Sequence, residues 1–318
     1  MKRRTFLKSS AATAAGAMVV PTIVPSHVLG KNAPSNKIHI GQIGFGRIAR
    51  SHDLPETLRH DVAMGVAVAD VDMKRARLGK EWIEQFHVKE GKPAVDVAVY
   101  QDYREMLQDK NIDAVIISTP DHWHAQPAME AALAGKDIYL QKPAALTIRE
   151  GRQMSDTVHR TGTIFQQGSQ QRGDAPWPHF HRACELVRNG RIGALEKIEI
   201  GLPGDPGGPE ESPMPVPENL DYDMWLGSTP FKYYTEKRVH PQADFSRPGW
   251  LRCEQFGAGM ITGWGAHHLD TAHWAMGTEF TGPVEVEAEA KFPESGLWNV
   301  HGDFMVHARY ANGVYMLS

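Results

Sequence analysis

The stretch KIHIGQIGFGRIA, residues 37–49, decides the fold of this chain. It begins as an apolar strand and runs into a glycine-rich turn with the spacing Gly44-x-Gly46-x-x-Ala49. The first glycine allows a tight turn, the second lets backbone amides approach a pyrophosphate, and the small third residue lets helix and strand pack closely. The spacing alone is weak, because ordinary glycine-rich turns share it, but here it directly follows a predicted strand, as a dinucleotide site requires. We therefore predict dinucleotide contacts from Gly44, Phe45, Gly46, Arg47 and Ile48.

An acidic residue after the next apolar run supports the same prediction. The run MGVAVADVD covers residues 64–72 and carries Asp70, about two dozen residues beyond the glycine-rich turn, which is the expected separation. A carboxylate at this point accepts hydrogen bonds from the adenosine ribose diol and repels a 2′-phosphate. The sequence thus favours NAD over NADP as the cofactor, although the nearby Arg75 leaves NADP open.

The rest of the first half alternates short apolar runs with helix-like stretches. The apolar runs are VDVAVY, DAVIISTP and DIYLQ, and the helix-like stretches include MKRARLGKEWIEQF, DYREMLQD and HAQPAMEAALAG. Strands that alternate with helices and lack period-two polarity are typical of a parallel sheet covered on both faces. We therefore predict an α/β fold whose N-terminal Rossmann domain covers residues 36–160.

The character of the sequence changes beyond Gly162. HFHRACELVRNG is a predicted helix, whereas LEKIEIGL and VEVEAEAKF alternate apolar with charged residues, as half-exposed antiparallel strands do. Between these two runs, residues 203–250 are rich in proline and glycine, and a loop of that length is usually functional or intersubunit. We predict a second, α+β domain over residues 161–318 with a predominantly antiparallel open sheet. Because the sequence stops just after the hairpin turn Asn312-Gly313, we expect this sheet to be C-terminally incomplete.

The first 35 residues are predicted to be a targeting segment. The twin pair Arg3-Arg4 is followed by Phe6-Leu7-Lys8 and by a weakly apolar run that is too short to span a bilayer. This pattern matches a twin-arginine export signal and predicts a periplasmic or otherwise exported protein; the alternative is a chance basic N-terminus.

The net charge of −4 argues against a nucleic-acid partner. The two cysteines, Cys184 and Cys253, form neither a disulfide framework nor a metal-binding pair.

Polar residues follow the fourth and fifth predicted strands. In STPDHWHAQ, the first of these strand ends, Thr119, Pro120, His122 and Trp123 are expected to face the cofactor, because ligands of doubly wound sheets lie outside the carboxyl ends of the strands. The alternative for His122 and the neighbouring His124 is a capping or solvated loop histidine. A zinc site lacks a third ligand at a useful spacing, so we predict no metal.

Lys142 follows the fifth strand in DIYLQKPAALTIREG, residues 137–151. A lysine at this edge can hydrogen-bond a substrate hydroxyl and stabilise an alkoxide as hydride leaves. The alternative is a surface turn that happens to contain lysine and proline. The preceding Gln141 is expected to lie beside the cofactor.

The run GMITGWGAHHLDTAHWAMG, residues 259–277, places His267 and Asp270 at positions i and i+3 of a predicted helix, where one face can carry both. A carboxylate beside an imidazole fixes its tautomer and raises its basicity, which a general base for an alcohol needs. We therefore predict catalytic roles for Lys142, His267 and Asp270. The alternative is that His267 is a histidine whose hydrogen bonds are satisfied in the core.

Together these motifs resemble the Gfo/Idh/MocA oxidoreductase family, which includes glucose–fructose oxidoreductase and inositol 2-dehydrogenase. The resemblance rests on IGQIGFGRIARSH, on STPDHWHAQPAMEAALAGKDIYLQKP and on WGAHHLDTAHWAMG, while GSQQR and DMWLGSTP are similar to an exported bacterial branch. It implies a Rossmann domain packed on an open sheet, the proposed roles of Lys142 and His267, and a homo-oligomer. Gln170, Arg172 and His268 are added as candidate substrate contacts.

Two positions depart from the family pattern. Gln141 stands where the family usually has glutamate, and Gly263 stands where its sugar dehydrogenases commonly have aspartate. The leading hypothesis is an exported dehydrogenase that transfers hydride from a sugar, polyol or glycoside hydroxyl to tightly held NAD. The missing aspartate keeps a redox-neutral glycosidase or lyase as a serious alternative. A third reading is a ligand-binding protein that kept the fold without the chemistry, although the presence of both Lys142 and His267 argues against it.

Overall fold

Strand β1, Ile38–Ile43, lies inside a six-stranded sheet in which every pairing is parallel. The structure is a computed structural model that describes residue 33 and residues 36–173 and 176–318. The predicted export signal, residues 1–35, therefore lies outside the described residues except for residue 33. The sheet has the order β3-β2-β1-β4-β5-β6. Its other strands are β2 Ala63–Ala69, β3 Ala98–Tyr100, β4 Ala114–Ile117, β5 Asp137–Gln141 and β6 Phe165–Gly168.

The central strands are buried on both faces, which explains why their sequences lack alternation. In β2 only Val66 is less than fully buried. The register pairs Ile43 with both Ala69 and Ile117, so the carboxyl ends of β2, β1 and β4 lie side by side. The residues that follow these strands therefore meet at one edge of the sheet. The strand order reverses between β1 and β4, and such switch points are where doubly wound sheets bind ligands.

Helices cover both faces of this sheet, as predicted. A π-helical turn, Ala49–Asp53, leads into α1 Leu54–Leu58. The others are α2 Met73–Lys89, α3 Tyr103–Leu107, α4 Ala125–Leu133 and α5 Ile148–Thr161. Two separate apolar clusters result, one containing Phe45 and Leu54 and the other containing Ile117 and Leu140.

The parallel sheet extends beyond residue 160, where the sequence predicted the Rossmann domain to end. Helix α5 closes at Gly162, which has φ +70°, and β6 then pairs with β5 as the sixth parallel strand. The run FQQG of β6 has two exposed side chains at this sheet edge and therefore does not read as a buried strand. The fold of the first domain thus includes residues up to Gly168.

The second sheet is mixed, and two of its three pairings are antiparallel, in agreement with the prediction. Its order is β7-β10-β9-β8; β10 pairs parallel with β7, whereas β10 with β9 and β9 with β8 are antiparallel. Its strands are β7 Lys197–Glu199, β8 Glu285–Ala290, β9 Phe304–Arg309 and β10 Tyr315–Leu317. Gly313, with φ +88°, turns β9 into β10 as the hairpin motif predicted. Helices α6 Pro178–Arg188, α8 Met260–Gly263 and α9 Gly265–Met276 belong to this half.

The proline- and glycine-rich segment 203–250 is largely irregular, and most of its buried side chains lie from residue 220 onward. It contains α7, Tyr222–Leu226, and its buried side chains form an apolar cluster with Cys253 and Phe256. Leu220 forms a bridge with Asp72, and Asp221 N donates to Val71 O, so the segment is fixed to the end of β2. Among the described residues, no helix is long and apolar enough to cross a membrane.

Candidate functional site

A cleft opens at the carboxyl edge of the parallel sheet, between the strand ends and segment 203–250 with the residues just after it. The strand-end side carries ten residues predicted from sequence. They are Gly44, Gly46, Arg47, Ile48, Asp70, Thr119, Pro120, Trp123, Gln141 and Lys142.

The glycine-rich turn has the backbone that a diphosphate needs. Gly44 has φ +81°, and a Cβ on it would lie 3.0 Å from Ser118 O, so this position requires glycine. A Cβ on Gly46 would meet no atom closer than Arg75 Nη1 at 4.0 Å, so the space above Gly46 opens toward the cleft. Backbone exposed in this way fits the close approach of a dinucleotide pyrophosphate.

The side chain of Phe45 does not face the cleft, contrary to the prediction. It is 1% exposed and packs edge-on against Phe245. Only its backbone takes part in the site, because Phe45 N donates to Asp70 Oδ2 at 2.8 Å. The glycine pattern predicts the path of the backbone, but it does not say which way the residue between the glycines points.

Asp70 lies at the far end of the cleft, where a ribose diol is expected. Asp72 N donates to its Oδ1 at 2.9 Å, and burial raises the pKa of the Asp70 carboxyl while the Arg75 guanidinium opposes this. Arg75 also lines the cleft and is held by hydrogen bonds to Pro241 O and Asp244 O. A carboxylate and a guanidinium thus stand together, and the geometry accommodates either NAD or NADP.

His122 is packed away from the cleft, so its predicted cofactor contact is wrong. Its Nε2 lies 2.9 Å from Trp225 O, its ring packs against Phe256, and burial lowers its pKa to about 4. The next histidine along, His124, lines the cleft and contacts Thr119 O and Pro143 O. His124 therefore links the end of β4 to the turn after β5.

Lys142 is half-buried in the cleft and lies at the end of β5. Its Nζ donates to Gly263 O at 2.8 Å, which joins the first sheet to helix α8. Burial lowers the pKa of Lys142, and the carboxylate of Asp121 opposes that shift. An ammonium placed here can donate a hydrogen bond to a substrate oxygen, and its lowered pKa makes it a stronger acid than a free lysine.

Two buried carboxylates beside Lys142 were not predicted. Asp121 is 4% exposed and lines the cleft, and burial raises its pKa to about 7. Asp53 is also 4% exposed, and burial raises its pKa to about 6. Asp121 follows Thr119-Pro120 directly and could have been found from its position at the strand end, whereas nothing in the local sequence marks Asp53.

Gln141 lies at the base of the cleft and is bonded to Asp53. Gln141 Nε2 donates to Asp53 Oδ1 at 2.6 Å, and the main-chain nitrogen of Lys142 donates to Gln141 Oε1 at 3.2 Å. Ser118 Oγ donates to the other oxygen, Asp53 Oδ2, at 2.6 Å. Gln141 therefore lines the cleft, where the sequence predicts a cofactor contact, and its side chain also bonds a buried acid.

His267 is close to Lys142 but does not form the cleft wall. Its Nδ1 lies 2.7 Å from Ser169 O, and burial lowers its pKa to about 4, so the ring is neutral at pH 7. Since a carbonyl oxygen only accepts, Nδ1 carries the proton and Nε2 has a lone pair. Asp270 does not hold this ring, contrary to the prediction, because both its oxygens accept from Arg172, at 2.7 and 2.8 Å.

The three candidate substrate contacts also lie outside the cleft. Arg172 is engaged by Asp270 and lies over the ring of Trp274. His268 is stacked on Trp264, with ring planes 6° apart. Gln170 has φ +66°, and its side-chain nitrogen is buried with no hydrogen-bond partner among the residues that the structure describes.

The side of the cleft opposite the strand ends comes from residues 224–251. The sequence predicted a functional or intersubunit loop over 203–250, but none of its individual side chains. Trp225, Ser246, Arg247 and Trp250 line it. Arg247 shares the cleft with Arg47, and burial and that neighbouring charge lower the pKa of Arg247. Two guanidiniums near Lys142 make this part of the cleft suited to an anion. Among the described residues, no three His, Cys, Asp or Glu side chains come together as a metal site.

Two family models match this chain, and both describe parts of one family. The model for the NAD-binding Rossmann fold of the Gfo/Idh/MocA oxidoreductases matches residues 38–169, and the model for the C-terminal alpha/beta domain matches residues 206–317. The boundary of the first match agrees with a parallel sheet that includes β6.

Among the curated relatives are a named dehydrogenase and a named glycosyl hydrolase. The chain is 30% identical to a myo-inositol 2-dehydrogenase of Thermotoga maritima over 58% of this chain and 48% of that protein. It is 33% identical to a glycosyl hydrolase family 109 protein of Shewanella baltica over 50% of this chain and 37% of that protein. The chain thus spans about half the length of such relatives or less.

A solved structure shares the fold. The WlbA dehydrogenase of Bordetella pertussis, in complex with NADH and UDP-GlcNAcA, superposes with a TM-score of 0.63 at 18% identity, over 88% of this chain and 69% of that one.

Proposed function

The chain belongs to the Gfo/Idh/MocA oxidoreductase family, and on that premise we propose that it is an NAD(P)-dependent dehydrogenase acting on a CH–OH group of a sugar, polyol or glycoside. The observation that carries the proposal is the position of Lys142, whose ammonium lies in the same cleft as the Gly44–Gly46 turn and Asp70. The relative named myo-inositol 2-dehydrogenase supports this choice of substrate class.

The cofactor-binding roles follow from the cleft. The Gly44–Gly46 backbone holds the diphosphate, Asp70 binds the adenosine ribose, and Arg47 and Arg247 add positive charge. The dinucleotide, when bound, supplies the hydride acceptor. NAD is favoured because Asp70 repels a 2′-phosphate, while Arg75 keeps NADP as the second choice.

The substrate-binding roles centre on Lys142. Its Nζ, already placed by Gly263 O, donates a hydrogen bond to the substrate oxygen and stabilises negative charge there. Two groups beside it can take the hydroxyl proton: the Asp121 carboxylate, whose pKa of about 7 suits a base at neutral pH, and Nε2 of His267. In the second case the carbonyl of Ser169 fixes the tautomer, the task that the sequence had given to Asp270.

A redox-neutral glycosidase is the second candidate. Gly263 contributes only its carbonyl where related sugar dehydrogenases commonly carry an aspartate, and the glycosyl hydrolase family 109 relatives support this alternative. Such an enzyme would pass hydride from a substrate hydroxyl to the bound dinucleotide, and the neighbouring C–H would become acidic. Loss of that proton would expel the aglycone, water would add to the resulting double bond, and return of the hydride would restore the hydroxyl.

One experiment separates these two functions. The protein with its cofactor is incubated with sugars and with aryl glycosides, while NAD(P)H absorbance and aglycone release are followed together. Net reduction without release supports the dehydrogenase, and release without net reduction supports the glycosidase. Lys142→Met should abolish either activity, whereas the exposed control Lys110→Met should not. Full activity of Lys142→Met would refute both proposals.

We also propose that the protein is exported in folded form with its cofactor tightly held. The Arg3-Arg4 pair supports the route, and the cover of residues 224–251 over the cleft supports retention. Replacement of both arginines by lysine should leave a reporter fusion in the cytoplasm.

We further propose that the protein is a homo-oligomer, which the fully exposed strand β8 supports. Sedimentation analysis tests this proposal directly.

A further inference from the structure

The carboxylate of Asp53 is the centre of a buried hydrogen-bond network that reaches Lys142. We propose that Asp53 is a positioning residue, which acts through Gln141 to place a negative charge behind Lys142 and so keep its ammonium protonated and directed into the cleft. This inference rests on the proposed function of Lys142 as the group that binds the substrate oxygen.

The network presents a hydrogen-bond donor to each oxygen of Asp53. Ser118 Oγ and Gln141 Nε2 each lie 2.6 Å from one of its oxygens. Gln42 Nε2 in turn donates to Ser118 Oγ at 3.1 Å, which directs the serine proton toward Asp53. Hydrogen bonds donated to both oxygens favour the ionised form of the Asp53 carboxyl. The π-helical turn Ala49–Asp53 brings this side chain under the end of β5.

The same geometry explains why residue 141 is neutral. Gln141 uses its amide nitrogen on Asp53 and its amide oxygen on the main-chain nitrogen of Lys142, so both ends of the side chain are engaged. A glutamate here would face Asp53 across 2.6 Å with no proton between them, and two such carboxylates cannot both ionise. Asp53 therefore supplies the charge, and Gln141 connects that charge to the lysine turn.

The titratable groups around Asp53 are few. Lys142 faces it and favours its ionised form, and Tyr139 on β5 lies close enough that burial and the charge of Asp53 raise the pKa of the tyrosine. Lys142 also interacts with Asp121, which favours its charged form more strongly than Asp53 does, and with the arginines Arg47 and Arg247, which disfavour it. Asp53 thus opposes two guanidiniums that would otherwise favour the neutral amine.

Moving the negative charge from residue 53 to residue 141 tests this inference. Four proteins are compared: wild type, Asp53→Asn, Gln141→Glu, and the double variant Asp53→Asn with Gln141→Glu. Asparagine at 53 can still accept from Gln141 and pair with Ser118, so the single variant loses the charge while keeping hydrogen-bond partners. In the double variant the asparagine amide donates to the new glutamate, and the charge returns on the other residue.

The primary measurement is the pKa of Lys142 from NMR of ¹³C-methylated lysines, with the signal assigned by its loss in Lys142→Arg. Asp53→Asn should lower this pKa by on the order of one unit, and the double variant should restore it. In an active enzyme the alkaline limb of the kcat–pH profile should move to lower pH by about the same amount in Asp53→Asn, and the double variant should restore it.

Two results overturn the inference: an unchanged pKa of Lys142 in Asp53→Asn, or a folded double variant whose Lys142 pKa differs from wild type. If Asp53→Asn does not fold, the comparison of wild type with the double variant decides. If no substrate is turned over by any of the proteins, the proposed function fails, while the NMR measurement still tests the role of Asp53.

Discussion

Replacing Asp53 by Asn should stabilise the folded protein at neutral pH and leave its stability nearly unchanged in acid. Burial raises the pKa of Asp53 from 3.8 to about 6. A group whose folded-state pKa is raised contributes stability that is present below the unfolded-state pKa and lost as the pH rises through the folded-state pKa. Each pKa unit is worth about 1.4 kcal/mol, so roughly 2–3 kcal/mol is lost between pH 4 and pH 7.

The assay is urea unfolding of wild type and Asp53→Asn, without cofactor, at half-unit steps from about pH 4 to pH 7. The quantity of interest is the difference between the two free energies of unfolding, because the titrations of all other groups then largely cancel. This difference should grow in favour of Asp53→Asn by about 2–3 kcal/mol as the pH rises. The exposed control Glu105→Gln should show no such growth.

A difference that stays flat from pH 4 to pH 7 would refute the reasoning, because Asp53 would then titrate alike in the folded and unfolded chains. A difference that grows in the opposite direction would also refute it, since that would mean a lowered pKa. The expected result agrees with the proposed role of Asp53, because a buried charge that destabilises the fold is typical of a residue kept for function.

Three further predictions concern the cleft. Gly44→Ala should destabilise the protein by about 1–2 kcal/mol in urea unfolding, because φ is +81° and the new Cβ lies 3.0 Å from Ser118 O; unchanged stability would contradict the turn geometry. Asp121→Asn should remove an inflection near pH 7 from the pH profile of kcat/KM, because burial raises the pKa of Asp121 to about 7. If the inflection persists in this variant, it belongs to another group. Arg247→Gln should weaken cofactor binding roughly tenfold in fluorescence titration and reduce its salt dependence, because a charged contact to the anion is lost. The exposed control Arg149→Gln should bind as wild type does.

The parts of the site that the sequence predicted are those set by local backbone pattern. Gly44, Asp70, Thr119 and Lys142 each follow an apolar run, and parallel register places the carboxyl ends of such runs at one edge. Strand periodicity therefore predicts that these residues share a cleft. Periodicity does not predict the direction of an individual side chain next to a strand end. The rings of Phe45 and His122 point away from the cleft because they pack against Phe245 and Phe256.

The partners of the functional side chains were less predictable, because they come from distant parts of the chain. The spacing of His267 and Asp270 allows them to share a helix face, but Arg172 offers Asp270 two charge-assisted hydrogen bonds that a neutral imidazole cannot match. Asp53 meets Gln141 across 88 residues of sequence, through a π-helical turn that has no simple periodic signature. Residue type and spacing predict candidates, whereas pairing depends on which donors and acceptors compete in the fold.

Asp72 connects helix formation to closure of the cleft. Its side chain accepts from Lys74 N and Arg75 N at the start of α2, and it also accepts from Asn219 at 2.6 Å and from His240 at 2.9 Å. Burial opposes its ionisation, but these hydrogen bonds outweigh burial and hold the pKa of Asp72 below its usual range. Segment 203–250 is therefore fixed beside Asp70, at the adenosine end of the cleft. Any movement of this segment away from Asp72 would break buried, charge-assisted hydrogen bonds, which supports the proposal that the cofactor is tightly held.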